Sequence, residues 1–214
     1  MRYGIFFILW LWPLVAQAGP WPRPPGQIYA ALSSVHDQGR LYHGFYTEWG
    51  TPNGLTAGMD IGADEDGRNA KLISFMRWPV GRGNSGPLYA IDAGLGRYGD
   101  AGVLRLGGAM GAGFSMLGRD GWWVLDGQVL RPAAHMAPDR QAQALWGLHV
   151  GPRHSLILAL QAGQDMRGRR HARFAPSWVF SLGARGAMRV ELGLLQGLNG
   201  PRSSGVKIAL WQSR

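Results

Sequence analysis

The chain has 214 residues, no cysteine, 46% hydrophobic residues and 16% charged residues. This length suits one domain, and the absence of cysteine fits an exported protein that needs no disulfides. The formal net charge of +9 would suit a nucleic-acid partner. An export signal at the N-terminus argues against nucleic acid. Lipopolysaccharide phosphates or anionic solutes are therefore the expected anionic partners.

The N-terminus predicts a secretory signal peptide over residues 1–18. Arg2 supplies a positive charge, residues 5–15 are apolar, and Ala16-Gln17-Ala18 is a typical cleavage site, so we expect the mature chain to begin at Gly19. The alternative is a retained anchor, but this apolar stretch is too short to span a bilayer as a helix and Pro13 would interrupt it. No cysteine follows the cleavage site, which excludes a lipoprotein.

The mature N-terminus, residues 19–26, is rich in proline and predicts a periplasmic lead-in that does not join a sheet. After it, apolar and polar residues alternate in segments of about ten residues, the signature of a transmembrane β-barrel. In one such segment Leu55, Ala57 and Met59 share one face, while Thr56 shares the other with small and polar residues. Residues 27–214 are therefore predicted to form the barrel, with strands at 27–36, 41–50, 54–63, 70–78, 87–97, 102–113, 121–131, 140–150, 154–163, 173–182, 187–196 and 205–212.

Twelve antiparallel strands in an up-and-down order predict a closed all-β barrel with both termini at the periplasmic side. Most tight turns fall at the even-numbered connections and most longer polar loops at the odd-numbered ones, as expected for short inner turns and long outer loops. Together with the export signal, this predicts the outer membrane of a Gram-negative bacterium. Membrane lipid, lipopolysaccharide and the barrel-assembly machinery are the expected partners.

Isolated charges in the middle of the strands predict a polar lumen. Each charged residue is flanked by apolar residues whose side chains point to the opposite face of the strand, as Val190 and Leu192 do on either side of Glu191. We expect Leu104, Leu125, Leu148, Leu158, Val190 and Leu192 to face lipid. The charged residues predicted to face the lumen are Glu48, Asp60, Arg77, Asp92, Arg105, Asp126, Arg189, Glu191 and Lys207.

Two interpretations of the interior charges stay open. In the first, the arginines pair with carboxylates and form a lattice that plugs or narrows the pore, because buried charges need partners. In the second, the same residues form a selectivity constriction for a small polar or charged solute. The arginines concerned are Arg77, Arg105 and Arg189, and the carboxylates are Asp60, Asp92, Asp126 and Glu191.

Two further patterns concern the ends of the barrel. A basic run predicts a solvated extracellular loop, comprising Arg167, Arg169, Arg170, His171 and Arg173. Aromatic residues near the strand ends predict girdles at the membrane interfaces. They are Trp49, Trp78, Tyr89, Tyr98, Trp122, Trp123 and Trp211.

The stretch Tyr46-Thr47-Glu48-Trp49-Gly50-Thr51-Pro52-Asn53-Gly54-Leu55-Thr56-Ala57-Gly58 resembles a hairpin of small, porin-like or transporter-like outer-membrane barrels. The resemblance in architecture covers residues 27–212 and implies a barrel of that class, but it assigns no functional residue. Such barrels usually end on an aromatic residue, whereas here three residues follow Trp211.

Enzymatic alternatives find little support in the sequence. Some small outer-membrane barrels are lipid-modifying enzymes that use Ser and His, and the candidates here are His135 and the pair His154-Ser155. Neighbours on a strand point to opposite faces, so His154 is poorly placed to activate Ser155. Asp64-Glu65-Asp66 suggests a solvated loop or a weak Ca²⁺ site. We expect no cofactor, no resident metal and no catalytic residue.

The sequence thus predicts a porin- or transporter-type barrel that passes or binds a small polar or charged solute passively. A structural or surface-interaction barrel with a plugged lumen is the alternative, and a lipid-modifying enzyme is a second one.

Overall fold

A computed structural model describes residues 19–67, 70–81, 86–133, 136–183, 187–199 and 204–214. The twelve predicted strands are confirmed, and no boundary differs from its prediction by more than three residues. They are β1 (Ile28–Asp37), β2 (Arg40–Gly50), β3 (Thr56–Asp64), β4 (Lys71–Pro79), β5 (Leu88–Tyr98), β6 (Ala101–Met116), β7 (Arg119–Pro132), β8 (Asp139–Gly151), β9 (His154–Gln164), β10 (Arg170–Leu182), β11 (Met188–Gly197) and β12 (Ser204–Ser213).

The strands form a closed barrel in which each strand is antiparallel to its neighbours in the chain. The first and last strands close the sheet, with Tyr29 opposite Ser213 and Asp37 opposite Gly205. Closure leaves no edge strand with unpaired backbone groups, which is the condition for a sheet in hydrocarbon. Within the described residues, no helix is long and apolar enough to cross a bilayer.

The alternation of residues along each strand separates an apolar outside from a polar inside. On β6, Leu104 and Leu106 are 40% and 54% exposed, whereas Arg105 between them is only 6% exposed. Leu125 and Leu192 are likewise exposed on the outer face. Leu148, Leu158 and Val190 lie on the same outward face but are half-buried among their neighbours.

Both termini lie at one end of the barrel, here called the terminal end, and the opposite end is called the far end. The predicted difference in loop length between the two ends is wrong. At the far end, β1 and β2 are joined by Gln38 and Gly39 alone, and β5 and β6 by Gly99 and Asp100. Gln38 and Gly39 have positive φ angles of 52° and 72°, which a two-residue hairpin turn requires.

The aromatic prediction is correct for one group of residues and wrong for another. Trp49, Trp78 and Tyr89 are exposed on the outer face near the terminal end. Trp122 and Trp211 instead point into the barrel, where Trp211 packs on a buried cluster that contains Trp122. Tyr98 also packs inside, near the far end. These three residues have the inward parity of their strands, which nearness to a strand end does not reveal.

We predict that Leu192→Arg destabilises the barrel by about 2–4 kcal/mol, because Leu192 lies outside the barrel at the middle of β11 and the charge would enter hydrocarbon. Leu198→Arg is the control, since Leu198 is also exposed but lies just beyond the end of β11, and it should cost about 0–1 kcal/mol. Equilibrium unfolding in lipid vesicles measures both. Equal costs at the two positions would contradict the assigned membrane depth.

Candidate functional site

Residues 19–25, the N-terminal segment, lie inside the terminal mouth of the barrel. Gly19 and Pro20 are buried, and Trp21 packs on the interior cluster that contains Val124. A Cβ atom at Gly111 would lie 3.1 Å from Trp21, so the wall of β6 is in close contact with the segment. The stretch predicted as a lead-in therefore occupies the lumen and ends in an isolated bridge between Pro25 and Gly50.

A buried carboxylate fixes this segment to the barrel wall. Glu48 is 0% exposed. Its Oε2 accepts a hydrogen bond from Arg23 Nε at 2.7 Å, and its Oε1 accepts from Arg77 Nη1 and from Tyr46 Oη, both at 2.5 Å. Arg77 Nη1 also donates to the carbonyl oxygen of Gly19 at 3.0 Å. One acid thus bridges the segment and two strands.

From Arg77 the charges continue along the inside of the barrel towards the far end. Arg77 Nη2 lies 3.8 Å from Asp92 Oδ2, and Asp92 Oδ1 accepts from Arg105 Nε at 2.7 Å. Arg105 Nη1 lies 3.8 Å from Asp60 Oδ2, which accepts from Lys71 Nζ at 2.8 Å. The charges alternate in sign, so each buried ion has partners of opposite charge.

An aromatic platform supports the arginines of this network. The guanidinium of Arg105 lies 4.3 Å from the centre of the Phe75 ring, and that of Arg77 lies 5.5 Å from it. Tyr46 stacks on the same ring. Beside the platform, a Cβ atom at Gly107 would lie 2.7 Å from Asp92 Oδ1, so glycine gives that carboxylate its room.

The other predicted lumen charges have different partners from those expected. Asp126 accepts a hydrogen bond from Gln143 Nε2 at 3.3 Å, and Glu191 accepts from Lys207 Nζ at 3.0 Å. The predicted pairing of arginines with these two acids is therefore wrong. On the adjacent strand, Asp126 has Gln143 within hydrogen-bond distance and Glu191 has Lys207. Arg189 lines a separate cavity at the terminal end, together with His149.

Two adjoining cavities remain inside the barrel. The polar cavity has a volume of about 340 Å³ and is lined by the charged network and by Asp126, Gln128, Gln141, Gln143 and Gln161. The apolar cavity has a volume of about 320 Å³ and lies against the opposite wall. Tyr46, Asp60 and Lys71 line both cavities, so the two spaces are in contact. The residues characteristic of the apolar cavity are Tyr29, Trp122, Leu145, Ile157, Leu195 and Trp211.

At the far end, the connection between β9 and β10 folds inward. Met166 is buried against Ile73, Val103 and Leu130, all of which point into the barrel. Tyr98 packs against the same cluster. The apolar contacts of this loop therefore cover part of the far mouth.

The predicted basic loop is divided between this connection and β10. Arg167 and Arg169 are exposed in the connection, and Arg170 is exposed at the start of β10. His171 and Arg173, further along β10, line the polar cavity. The strand begins earlier than predicted, so alternate residues of the basic run turn inward. Arg173 Nη1 lies 3.9 Å from Asp37 Oδ2 across the barrel closure.

Asp165 organises the exposed part of the loop. Its Oδ1 accepts hydrogen bonds from the backbone N–H groups of Arg167 and Arg169, both at 2.9 Å, and its Oδ2 accepts from Arg169 Nε at 2.7 Å. Partial burial alone would raise the pKa of Asp165, but these hydrogen bonds outweigh it and hold the pKa below its ordinary value.

The structure pairs Ser155 with a histidine that the sequence did not suggest. His149 Nδ1 lies 2.9 Å from Ser155 Oγ, on the interior side of β8 and β9. The neighbouring His154 instead contacts Trp178 on the outer face. Asp120, on the strand next to His149, accepts a hydrogen bond from Ser115 Oγ at 2.6 Å. His135 lies outside the described residues, which contain no His, Cys, Asp or Glu group arranged to hold a metal ion.

Comparison with known proteins places the fold. No protein-family model matches the chain, and no curated protein matches its sequence. Among solved structures, the KdgM porin aligns with a TM-score of 0.67 at 6% identity, over 86% of this chain and 98% of that one. The NanC porin gives 0.61 at 5% identity, over 85% and 98%. The COG4313 outer-membrane channel from Pseudomonas putida F1 gives 0.59 at 10% identity, over 93% and 100%.

These likenesses define the class of fold. The chain is a closed barrel of the size and architecture seen in small outer-membrane porins, as its alternating pattern predicted. At such identities the comparison concerns the fold alone.

We predict that Arg77→Ala costs about 3–5 kcal/mol of stability, because it leaves Glu48 and Asp92 with one buried cation fewer. Arg169→Ala is the control. It removes an arginine from an ion pair of similar N···O distance, but the side chain of Arg169 is 66% exposed. Because water screens this pair, its loss should cost less than about 1 kcal/mol. Urea unfolding of the two variants in vesicles provides the comparison. Similar costs would show that the interior network contributes no more than a surface pair.

Proposed function

We propose that this protein is an outer-membrane barrel of porin or transporter type, which passes or binds a small polar or charged solute by passive means. The observation that carries the proposal is the polar cavity of about 340 Å³. Its walls offer cations, carboxylates and amide groups to one enclosed space, as binding sites for polar solutes do. The role is not enzymatic.

The terminal end is proposed to face the periplasm. An exported chain that enters the membrane from the periplasm has its mature N-terminus on that side when the strand number is even. The proposal includes cleavage directly after Ala18, which the small residues of Ala16-Gln17-Ala18 support. Lipid and lipopolysaccharide are the proposed partners of the apolar outer face, and the barrel-assembly machinery is the proposed partner during insertion.

The lining charges favour a solute that can use both donors and acceptors. Cations and carboxylates alternate in the network, so the cavity has no strong field of a single sign. A solved structure describes the KdgM porin in complex with disordered oligogalacturonate. By analogy of fold, the first candidate for this cavity is a small hydroxyl-bearing or acidic solute.

The N-terminal segment favours the alternative of a structural barrel with a blocked lumen. It occupies the terminal mouth and is held there by the Arg23–Glu48 ion pair. A segment held by a few side-chain contacts and one isolated bridge can move aside, whereas a fixed plug would leave the barrel electrically silent. Conductance therefore distinguishes the two functions.

We predict that Arg23→Ala increases single-channel conductance in planar bilayers, because it removes the contact between the segment and buried Glu48. Pro24→Ala is the control, since it changes the same segment at an exposed side chain and should leave conductance unchanged. A barrel that stays silent in the wild type and in both variants would contradict the channel function and favour the plugged structure.

We also predict that Asp126→Asn shifts ion selectivity towards anions. Asparagine keeps the shape and an acceptor for Gln143 but removes a negative charge from the polar cavity. Asp100→Asn, in an exposed turn at the far end, is the control. Reversal potentials in a salt gradient measure the effect, and an equal shift in the two variants would show that the polar cavity is not on the ion path.

A further inference from the structure

The ladder between β10 and β11 is interrupted in the middle of the barrel wall. The paired positions run from Arg173 opposite Gly197 to Phe174 opposite Gln196, and resume only at Ser177 opposite Gly193. The two skipped residues are Ala175 and Pro176.

Proline explains the interruption, because it has no backbone N–H to donate across the ladder. On its other side Pro176 is paired with Leu158 of β9, so the gap concerns the β10–β11 side alone. The register places Pro176 opposite Leu194, whose side chain is 61% exposed on the outer face. In hydrocarbon no water replaces the missing bond, so this position is a weak point of the wall.

A groove lies on the outer face at the same place. It has a volume of about 530 Å³, and its outward-facing walls include Trp178, Leu192 and Ile208. Its floor also includes residues that point into the barrel, namely Ser177, Gly193 and Lys207.

The groove and the apolar cavity share their lining. Pro176, Ser177, Gly193, Leu194 and Lys207 border both spaces, one from the inside and one from the outside. Gly193 has no side chain, and a Cβ atom placed there would lie 3.1 Å from Ser177 Cβ, so β10 and β11 are in close contact on the inner side at this level. We call this position, where Pro176 faces Leu194 above Gly193, the β10–β11 seam.

Packed side chains narrow both mouths of the barrel. The N-terminal segment lies in the terminal mouth, which also holds the cavity lined by Arg189 and His149, and Met166 covers part of the far mouth. The apolar cavity is separated from the surrounding membrane by a single layer of sheet, in which the ladder is interrupted at Pro176.

We propose that the β10–β11 seam is a lateral entry through which the hydrocarbon chain of a single-chain amphiphile passes between the bilayer and the apolar cavity. Trp122, Leu145 and Ile157 offer the chain an apolar surface inside. The Lys207–Glu191 ion pair, at 2.9 Å, lines the apolar cavity next to the seam, with Lys207 opposite Gly193, and offers the headgroup a donor and an acceptor. This site is distinct from the polar cavity and does not rest on the solute function proposed above.

The test uses the mature protein in lipid vesicles with a fatty acid that carries a photoactivatable diazirine near its methyl end. Cross-linked positions are mapped by mass spectrometry. We expect labels on the inward-facing Ile157 and Leu195 as well as on outward-facing residues such as Ile208. Labels confined to the outer face would overturn the proposal.

A disulfide across the seam provides the decisive variant, because the chain has no cysteine of its own. Ser177→Cys with Gly193→Cys joins β10 to β11 directly beside the seam and keeps Pro176, and Ser177→Cys with Ile157→Cys joins the same residue to β9 as the matched control. Interior labelling is read at Leu195, which both variants retain. Oxidation of the first variant should lower interior labelling several-fold, and reduction should restore it, while outer labelling stays constant. Interior labelling that persists in the oxidised first variant, or falls equally in the control, would show that the chain enters by another route.

Discussion

The need to pair every backbone N–H and C=O group in hydrocarbon is the constraint on which the rest of this structure depends. A sheet meets it only by closing on itself, and here β1 pairs with β12 along the length of both strands. Once the sheet is closed, each residue points either to lipid or to the lumen. The position of Pro176 in the middle of β10 is notable for this reason, since it removes a donor where no water can replace it.

Closure also forces the interior charges to satisfy one another. Glu48 is fully buried, and it binds an arginine of the N-terminal segment and an arginine of β4. The same ion pairs that hold the fold together therefore also narrow the terminal mouth. A plugged structural barrel and a channel would therefore use the same ion pairs. The two differ in how firmly these pairs hold the N-terminal segment in the terminal mouth.

The sequence predicts the strands and the inward direction of Arg105 and Asp126 well, because the period of two is local and repeats twelve times. It does not predict partners, which depend on register between strands. Arg23 was assigned to a lead-in but binds Glu48, and Ser155 pairs with His149 across a turn and not with adjacent His154. Trp122 and Trp211 lie near strand ends, which suggested a position at the membrane interface. Their places in the alternation of each strand instead direct both side chains into the barrel.

The most direct test of the account compares two adjacent residues of β7 in an otherwise cysteine-free chain. Leu125→Cys and Asp126→Cys are treated in vesicles with a thiol reagent that is small and water-soluble but cannot cross the membrane. Asp126 lines the polar cavity and Leu125 is exposed on the outer face, so the account predicts modification of the Asp126→Cys variant and protection of the Leu125→Cys variant. Modification of the Leu125→Cys variant with protection of the other would contradict the assigned inside and outside of the barrel.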